Sequence, residues 1–409
     1  MTSEAPIALA FSGGLDTSFC VPWLAERHGR PVVTVTVDTG GLDEAARAAL
    51  ARRSAELGAA GHHLLDARRL FFDDVLRFLV YGNVRRGGLY PLSVGAERAL
   101  QAREVARLAR ELGCTAVAHG STGAGNDQVR FECALRAVAP ELEILAPVRD
   151  EPHSRADEVA YLEARGLPVP AGSAAYSVNR GLWGATIGGR ETLTSAGPLP
   201  EGAWLLTRGA FDVPRALERH RLAFARGIPT AWDGVAMEPV ALVESVEHAA
   251  AAFGIGRGIH LGDTILGLKG RVAFEAPAAE VILTAHRELE KLVLTGRQQK
   301  LKDQVAAVYG ELIHEGQALE PAARDAEALL ASSQGRVTGE LALLFRPGAL
   351  FVEGVSSPFS MMAASRGRYG EENGEWNAAD AAGFCRITAL PGALAARSGG
   401  AATPIEELP

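Results

Sequence analysis

Ile7-Ala-Leu-Ala-Phe-Ser-Gly-Gly-Leu-Asp-Thr-Ser18 is the stretch whose reading decides the fold. Ile7 to Phe11 is a short apolar run of the kind that forms a buried strand. Ser12-Gly13-Gly14 follows as a turn, and a helix begins near Leu15-Asp16. Two glycines let backbone N–H groups come close to a ligand. Those groups sit at the positive end of the helix behind them, which suits an anion. Ser12, Thr17 and Ser18 add hydroxyls, and Asp16 is placed either to cap the helix or to face a metal. No lysine follows the glycines, so this is not the kinase-type phosphate loop.

Outward from that loop, residues up to about 150 alternate strand and helix signals. Thr17 to His28 reads as a helix with Phe19, Trp23 and Leu24 on its inner face. Pro22 inside it removes one helical N–H and predicts a kink. Pro31 to Asp38 is a strand in which Val33, Val35 and Val37 alternate with threonines, and it ends at Thr39-Gly40-Gly41. A helix (Leu42 to Leu57), a strand (His62 to Leu65) and a helix (Glu97 to Leu112) follow. The last feeds the strand Thr115 to His119. This order predicts an α/β fold with a doubly wound parallel sheet, whose ligands bind beyond the carboxyl ends of the strands. The loop Gly120 to Glu132 leaves such an end, with three glycines and then Asn126, Asp127 and Arg130. A merely connecting loop has no need of that density of polar groups.

Composition narrows the function classes. The chain has 409 residues, 47% of them hydrophobic, enough for a large core and for more than one domain. The formal charge of −8 comes with no clustered basic face, so no nucleic-acid partner is expected. Cys20, Cys114, Cys133 and Cys385 are scattered without a Cys-x-x-Cys pair, which points to a reducing compartment and away from a zinc site. The ten histidines form no metal-spaced cluster, and His119 reads as ordering a strand end. No apolar run reaches membrane-spanning length and no signal-peptide layout is present, so a cytoplasmic protein without a membrane partner is expected.

The first loop resembles the Ser-Gly-Gly-x-Asp-Ser/Thr loop of the ATP pyrophosphatases (adenine nucleotide alpha hydrolase-like), which cleave ATP to AMP and pyrophosphate. Taken with His119 to Glu132, it resembles argininosuccinate synthase. Further motifs follow in order: Tyr176-Ser177 with Leu182-Trp183-Gly184, Gly267 to Arg271, Glu275-Ala276-Pro277, Val337 to Gly339, Ser357-Pro358 and Asp380 to Phe384. The resemblance implies a nucleotide-binding domain (1–168), an α+β synthetase and multimerisation domain (169–390) and a tail (391–409). The punctuation Gly166 to Gly172 lies at the first boundary. In the second domain, strands are expected at Ala203 to Leu206, Gly339 to Phe345 and Leu350 to Gly354, and the tail as partly disordered. Helices are expected at Ala279 to Leu294, Gln299 to His314 and Pro321 to Ala331. The assembly implied is a homotetramer.

The resemblance also assigns roles. Ala10, Phe11, Ser12, Gly13, Gly14, Leu15, Asp16, Thr17, Ser18, Val37 and Gly120 would hold ATP, with Ser12 and Asp16 catalytic and Mg²⁺ arriving with the nucleotide. Thr122, Asn126 and Asp127 would hold L-aspartate. Tyr90, Asn126, Arg130, Ser177 and Thr186 would contact a citrulline-like acceptor. Arg130 offers a bidentate fork for a carboxylate. Departures from the family pattern gather on the acceptor side. Ser93-Val94-Gly95 replaces Gly-Thr-Ser, Asn179 and Gly181 replace Asp and Asn, Ala124 replaces Lys, and Gly188 replaces Glu. Gly262 stands where a Glu binds the acceptor's amino group, and Phe274 where a binding Tyr stands. The expected activity is an AMP-forming ligase that adenylates a ureido or carbonyl acceptor and couples it to the aspartate amine. That acceptor need not be citrulline. An authentic argininosuccinate synthase of arginine biosynthesis with a remodelled pocket is the alternative within enzymes. A catalytically inactive nucleotide-binding regulator is the alternative outside them.

Overall fold

In the computed structural model, which describes residues 5–151, 153–170, 176–371 and 373–399, Ile7–Ala10 (β1) is the middle strand of a parallel sheet. Its neighbours are β2 (Val32–Asp38), β3 (Gly61–Asp66), β4 (Ala116–His119) and β5 (Glu143–Leu145), in the order β3-β2-β1-β4-β5. Ile7 pairs with Val32 on one side and Ala116 on the other. The strand order therefore reverses between β1 and β4, the switch point where such sheets open a crevice.

Burial explains why β1 has no polar face. Ile7 and Leu9 pack on one side of the sheet with Leu15, Phe19 and Leu24, while Ala8 joins a second apolar cluster on the other side. The threonines of β2 are buried as well. Thr34 Oγ1 lies 2.6 Å from Ser54 Oγ, and Thr36 Oγ1 donates to the Phe11 carbonyl at 2.7 Å. The helix Leu15–His28 runs on through the buried Pro22 and closes at Gly29, whose φ of 64° no other residue adopts as readily.

Two antiparallel sheets complete the larger unit. One is β10-β9-β8-β13-β14, from Glu218–Ala225 (β8), Ile228–Trp232 (β9), Val235–Ala236 (β10), Gly339–Arg346 (β13) and Ala349–Ser356 (β14). Arg346-Pro347-Gly348 turns its last hairpin. The other is β11-β12-β7-β6, from Ser177–Gly181 (β6), Gly184–Gly188 (β7), Arg257–Asp263 (β11) and Lys269–Glu275 (β12). The helices Pro277–Val293, Gly296–His314 and Pro321–Ser332 stand where the periodicity puts them.

Two expectations are corrected. Only 120–125 of the second loop is irregular, because Asn126–Val138 is a helix whose first turn carries Asp127. The stretch 203–206 is not a strand. Its backbone donors turn instead to the fully buried Glu275 carboxylate, which accepts from Leu205 N (2.7 Å), Leu206 N (3.0 Å), Thr207 N (2.7 Å) and Thr207 Oγ1 (2.6 Å). The tail begins in a helix, Leu390–Arg397. Residues 400–409 of that tail, and 171–172 of the Gly166 to Gly172 punctuation, lie outside the described residues. By its contacts the chain forms two compact units, Met1–Phe359 and Ser360–Pro409, so position 168 falls inside the first.

Candidate active site

The turn after β1 is shaped by its glycines. Gly13 has φ +73°, and a Cβ there would stand 2.5 Å from Leu50 Cδ2. Gly14 precedes the helix in an extended conformation, with no side chain capping the helix end. Asp16 thus does not cap, and the first N–H groups are left for a ligand. Ser12 Oγ lies 3.2 Å from Thr17 Oγ1, which also approaches the Gly14 carbonyl at 3.3 Å. Ser18 is buried, with its hydroxyl unpartnered among the described residues. Asp16 has a carboxyl neighbour in Glu158, whose own carboxyl is pushed well above the usual range by burial and then by the Asp16 charge.

The second loop closes on the first. A Cβ at Gly120 would sit 3.0 Å from Thr17 Cγ2 and 3.2 Å from both the Asp16 carbonyl carbon and Thr17 N. Only a residue without a side chain lets β4 deliver its loop so near the helix start. Val37 is buried near the end of β2. Beyond it Asp38 accepts from Gly40 N (2.8 Å) and Arg47 Nη2 (2.5 Å), fixing the next turn. His119 accepts from Ser121 N at 3.3 Å, and burial, then Arg149, lowers its pKa to about 4. It is a neutral ordering group, as the sequence suggests.

From Gly120 the chain runs through exposed Thr122 to Asn126, Asp127 and Arg130 at the start of the helix Asn126–Val138. There it meets a cavity of about 190 Å³ lined by Tyr90, Gly95, Asn126, Asp127, Arg130, Asn179, Thr186, His260, Gly262 and His314, with Arg86, Asp263 and Arg271 among the charged groups. Asn126 Oδ1 accepts from Ile265 N at 2.9 Å, tying the helix start to the β11–β12 turn. Asp127 accepts from Arg98 Nε (3.0 Å) and Arg130 Nη1 (2.8 Å). Burial alone would raise its pKa, but Arg98 and Arg130 outweigh it and hold the value at about 2. Arg98 reaches on to Asn179 Oδ1 at 3.0 Å.

Arg130 is buried and does not pair with a surface glutamate. Its Nε donates to the His314 carbonyl (2.7 Å) and its Nη2 to His314 Nδ1 (3.2 Å). The guanidinium lies against Gly95, where a Cβ would approach it to 3.1 Å. Tyr90 is buried between His260, stacked at 5.7 Å and 23°, and Phe274 at 5.2 Å. Phe274 itself does not line the cavity. Its ring packs over Gly258, where a Cβ would meet Phe274 Cζ at 2.4 Å. Thr186 lines the cavity from β7 opposite Asn179. Ser177 lies outside the lining but shares a strand face with Asn179.

Sequence reasoning overlooked Arg98, Glu97, His260 and His314. Glu97 is fully buried, accepts from Thr39 Oγ1 at 2.6 Å, and is pushed up to about 7 chiefly by burial. It fills space that Gly181 leaves, since a Cβ there would stand 1.6 Å from Glu97 Oε1. A charged residue at a buried helix start was the available signal for Glu97 and Arg98. The two histidines gave none, because their partners are remote in sequence.

Comparison with known proteins adds the lineage. A family model described as "Arginosuccinate synthase N-terminal HUP domain" matches residues 6–168, and one described as "Arginosuccinate synthase C-terminal domain" matches 176–395. The chain is 40% identical to the argininosuccinate synthase of Xanthomonas campestris pv. campestris over 97% of its length and 99% of that protein. It is 38% identical to that of Methanocaldococcus jannaschii (88% and 90%) and 35% identical to that of Pyrobaculum aerophilum (96% and 98%).

Proposed function

The chain belongs to the argininosuccinate synthase family, and on that premise we propose how its residues divide the work of an ATP-dependent ligase that forms a carbon–nitrogen bond. The turn Ala10 to Ser18, with Val37 and Gly120, fits ATP. It offers free N–H groups at a helix end, a left-handed glycine and an unpartnered buried hydroxyl. Ser12 and Asp16 face the phosphates, and Asp16 is the carboxylate that would hold Mg²⁺, which neutralises phosphate charge when bound. Thr122, Asn126 and Asp127 take L-aspartate. Tyr90, Asn126, Arg130, Thr186 and, at the strand face beyond, Ser177 take a citrulline-like acceptor.

The reaction so arranged joins the acceptor's ureido oxygen to the α-phosphorus of ATP, with pyrophosphate leaving. The aspartate nitrogen then forms a bond to the ureido carbon, the carbon–oxygen bond to AMP breaks, and the amine loses a proton. This chain's part is positioning and charge stabilisation, so no nucleophilic side chain is needed. One observation carries the reading. Gly120 touches the start of the phosphate-turn helix while its own loop leads straight to Asn126, Asp127 and the cavity. The three substrates' sites are thereby contiguous.

The enzyme incubated with ATP, Mg²⁺, citrulline and aspartate should form AMP, pyrophosphate and a ligated product. Ammonium chloride in place of aspartate should give none. Efficient ligation of ammonia would overturn the assignment of Thr122, Asn126 and Asp127. We further propose the domain division 1–168, 169–390 and 391–409, a cytoplasmic location and a homotetramer. The last is supported by exposed Phe384, Ile387 and Leu394 in the Ser360–Pro409 unit, apolar surface that association would cover. No helix among the described residues is long and apolar enough to cross a membrane.

A further inference from the structure

The cavity beside Asn126 and Arg130 holds a buried hydrogen-bond donor without a partner among the described residues. Arg130 can only donate, so His314 Nδ1 must accept from it, and neutral His314 then keeps its proton on Nε2. That nitrogen is buried and has no partner among the described residues. Burial, then Arg130 and Arg86, lowers the His314 pKa to about 3, so the ring stays neutral at pH 7. His260 Nε2 is a second buried ring nitrogen without a partner among the described residues, and burial followed by Arg86 lowers the pKa of that ring as well. The His260 ring is held by Tyr90 and leans over Gly262, where a Cβ would stand 2.6 Å from Nε2.

The carboxylates there are already engaged. Both oxygens of Asp127 accept from arginines, and Asp263 pairs with Lys269 at 2.5 Å on the solvent side. Glu275, the other acid on these strands, is enclosed by four donors away from the cavity. With Asp127 given to the aspartate amine, an ammonium on the acceptor finds Arg86, Arg130 and Arg271 in the lining and, among carboxylates, only Asp263 at the solvent side. A carboxylate or carbonyl finds the His314 Nε2–H.

Resting on the ligase reading above, we propose that the acceptor is a ureido acid without an α-ammonium group, and that His260, by setting its unpartnered polar ring nitrogen over Gly262, is the residue that sets this preference. A charge-assisted hydrogen bond of the kind an ammonium would lack here corresponds to roughly ten- to a hundredfold in affinity.

The probes are L-citrulline and 5-ureidopentanoate, the same molecule without its amino group. Their affinities for the full chain are measured by calorimetry with a non-hydrolysable ATP analogue present, and their kcat/KM by AMP release with ATP and aspartate. The parent should prefer 5-ureidopentanoate at least about tenfold. His260→Gln should keep most of that preference and His260→Leu should lose it. Gly262→Glu alone should not rescue citrulline, because its Cβ meets the imidazole, whereas His260→Leu with Gly262→Glu should raise citrulline binding about tenfold or more. Equal or better binding of citrulline by the parent overturns the proposal, as does a preference that His260→Leu leaves unchanged or binding of neither probe. Preferential binding without any AMP release upholds the proposal and removes the ligase reading instead.

Discussion

The two ends of the site are built in different ways. The proposed nucleotide end is framed by backbone, a turn, a helix N-terminus and the glycine after an adjacent strand of one parallel sheet, with the Ser12, Asp16 and Ser18 side chains set on that frame. The proposed acceptor end is a cavity of side chains brought from Tyr90, Arg130, Thr186, His260 and His314, on elements far apart in the chain. A backbone cradle tolerates few changes, since each residue is chosen for what its main chain does. A side-chain pocket can be re-lined residue by residue on an unchanged frame. That difference teaches where to look for altered specificity.

The largest effect expected is at the nucleotide end. Asp16→Ala should reduce kcat/KM at least ~10³-fold, as removal of a charge-stabilising group does in other enzymes. The melting temperature should stay within about 2 °C of the parent, since little apolar packing is lost. Near-parental turnover would break the comparison by showing that the first turn is not where the phosphates react.

Asp127 joins the two ends, and Asp127→Asn sharpens the boundary between them. The folded pKa of about 2 lies below the ordinary carboxylate value, so the stabilisation is present above roughly pH 4 and is lost as pH falls through 2. About a third of the side chain faces solvent, so the contribution at pH 7 is discounted to about 1–2 kcal/mol. Urea unfolding should show the variant less stable by that amount at pH 7, with the gap closing progressively as pH falls from roughly 4 through 2. A gap that persists in acid would mean that packing, not charge, holds Arg98 and Arg130.

The smallest effect is expected at the edge of the acceptor pocket. Ser177 lies outside the cavity lining, so Ser177→Ala should raise the acceptor KM only about two- to tenfold and leave kcat unchanged. A loss of kcat comparable with that of Asp16→Ala would show that the acceptor end is as unforgiving as the nucleotide end.

How much could be read beforehand follows the same division. The parallel sheet and the turn at 12–14 were legible because strand and helix periods, glycine and helix ends act over a few residues, whereas the approach of Gly120 to Thr17 was not. Ala203 to Leu206 misled, since an apolar tetrapeptide reads as a strand until Glu275 claims its N–H groups. The helical start of Asn126–Val138 was concealed by polar residues that serve the site, not the helix.

By itself, the sequence determined the doubly wound sheet, the glycine turn after its first strand and the family, because these depend on local backbone preference and on motifs met in order. Tertiary structure alone decided that Arg130 is engaged by His314, 184 residues away, that Phe274 packs over Gly258, and that His260 fills the space above Gly262. The physical reason is that a side-chain pocket is fixed by which distant surfaces pack together, and a neutral imidazole in such a place has no signature within its own neighbourhood of the chain.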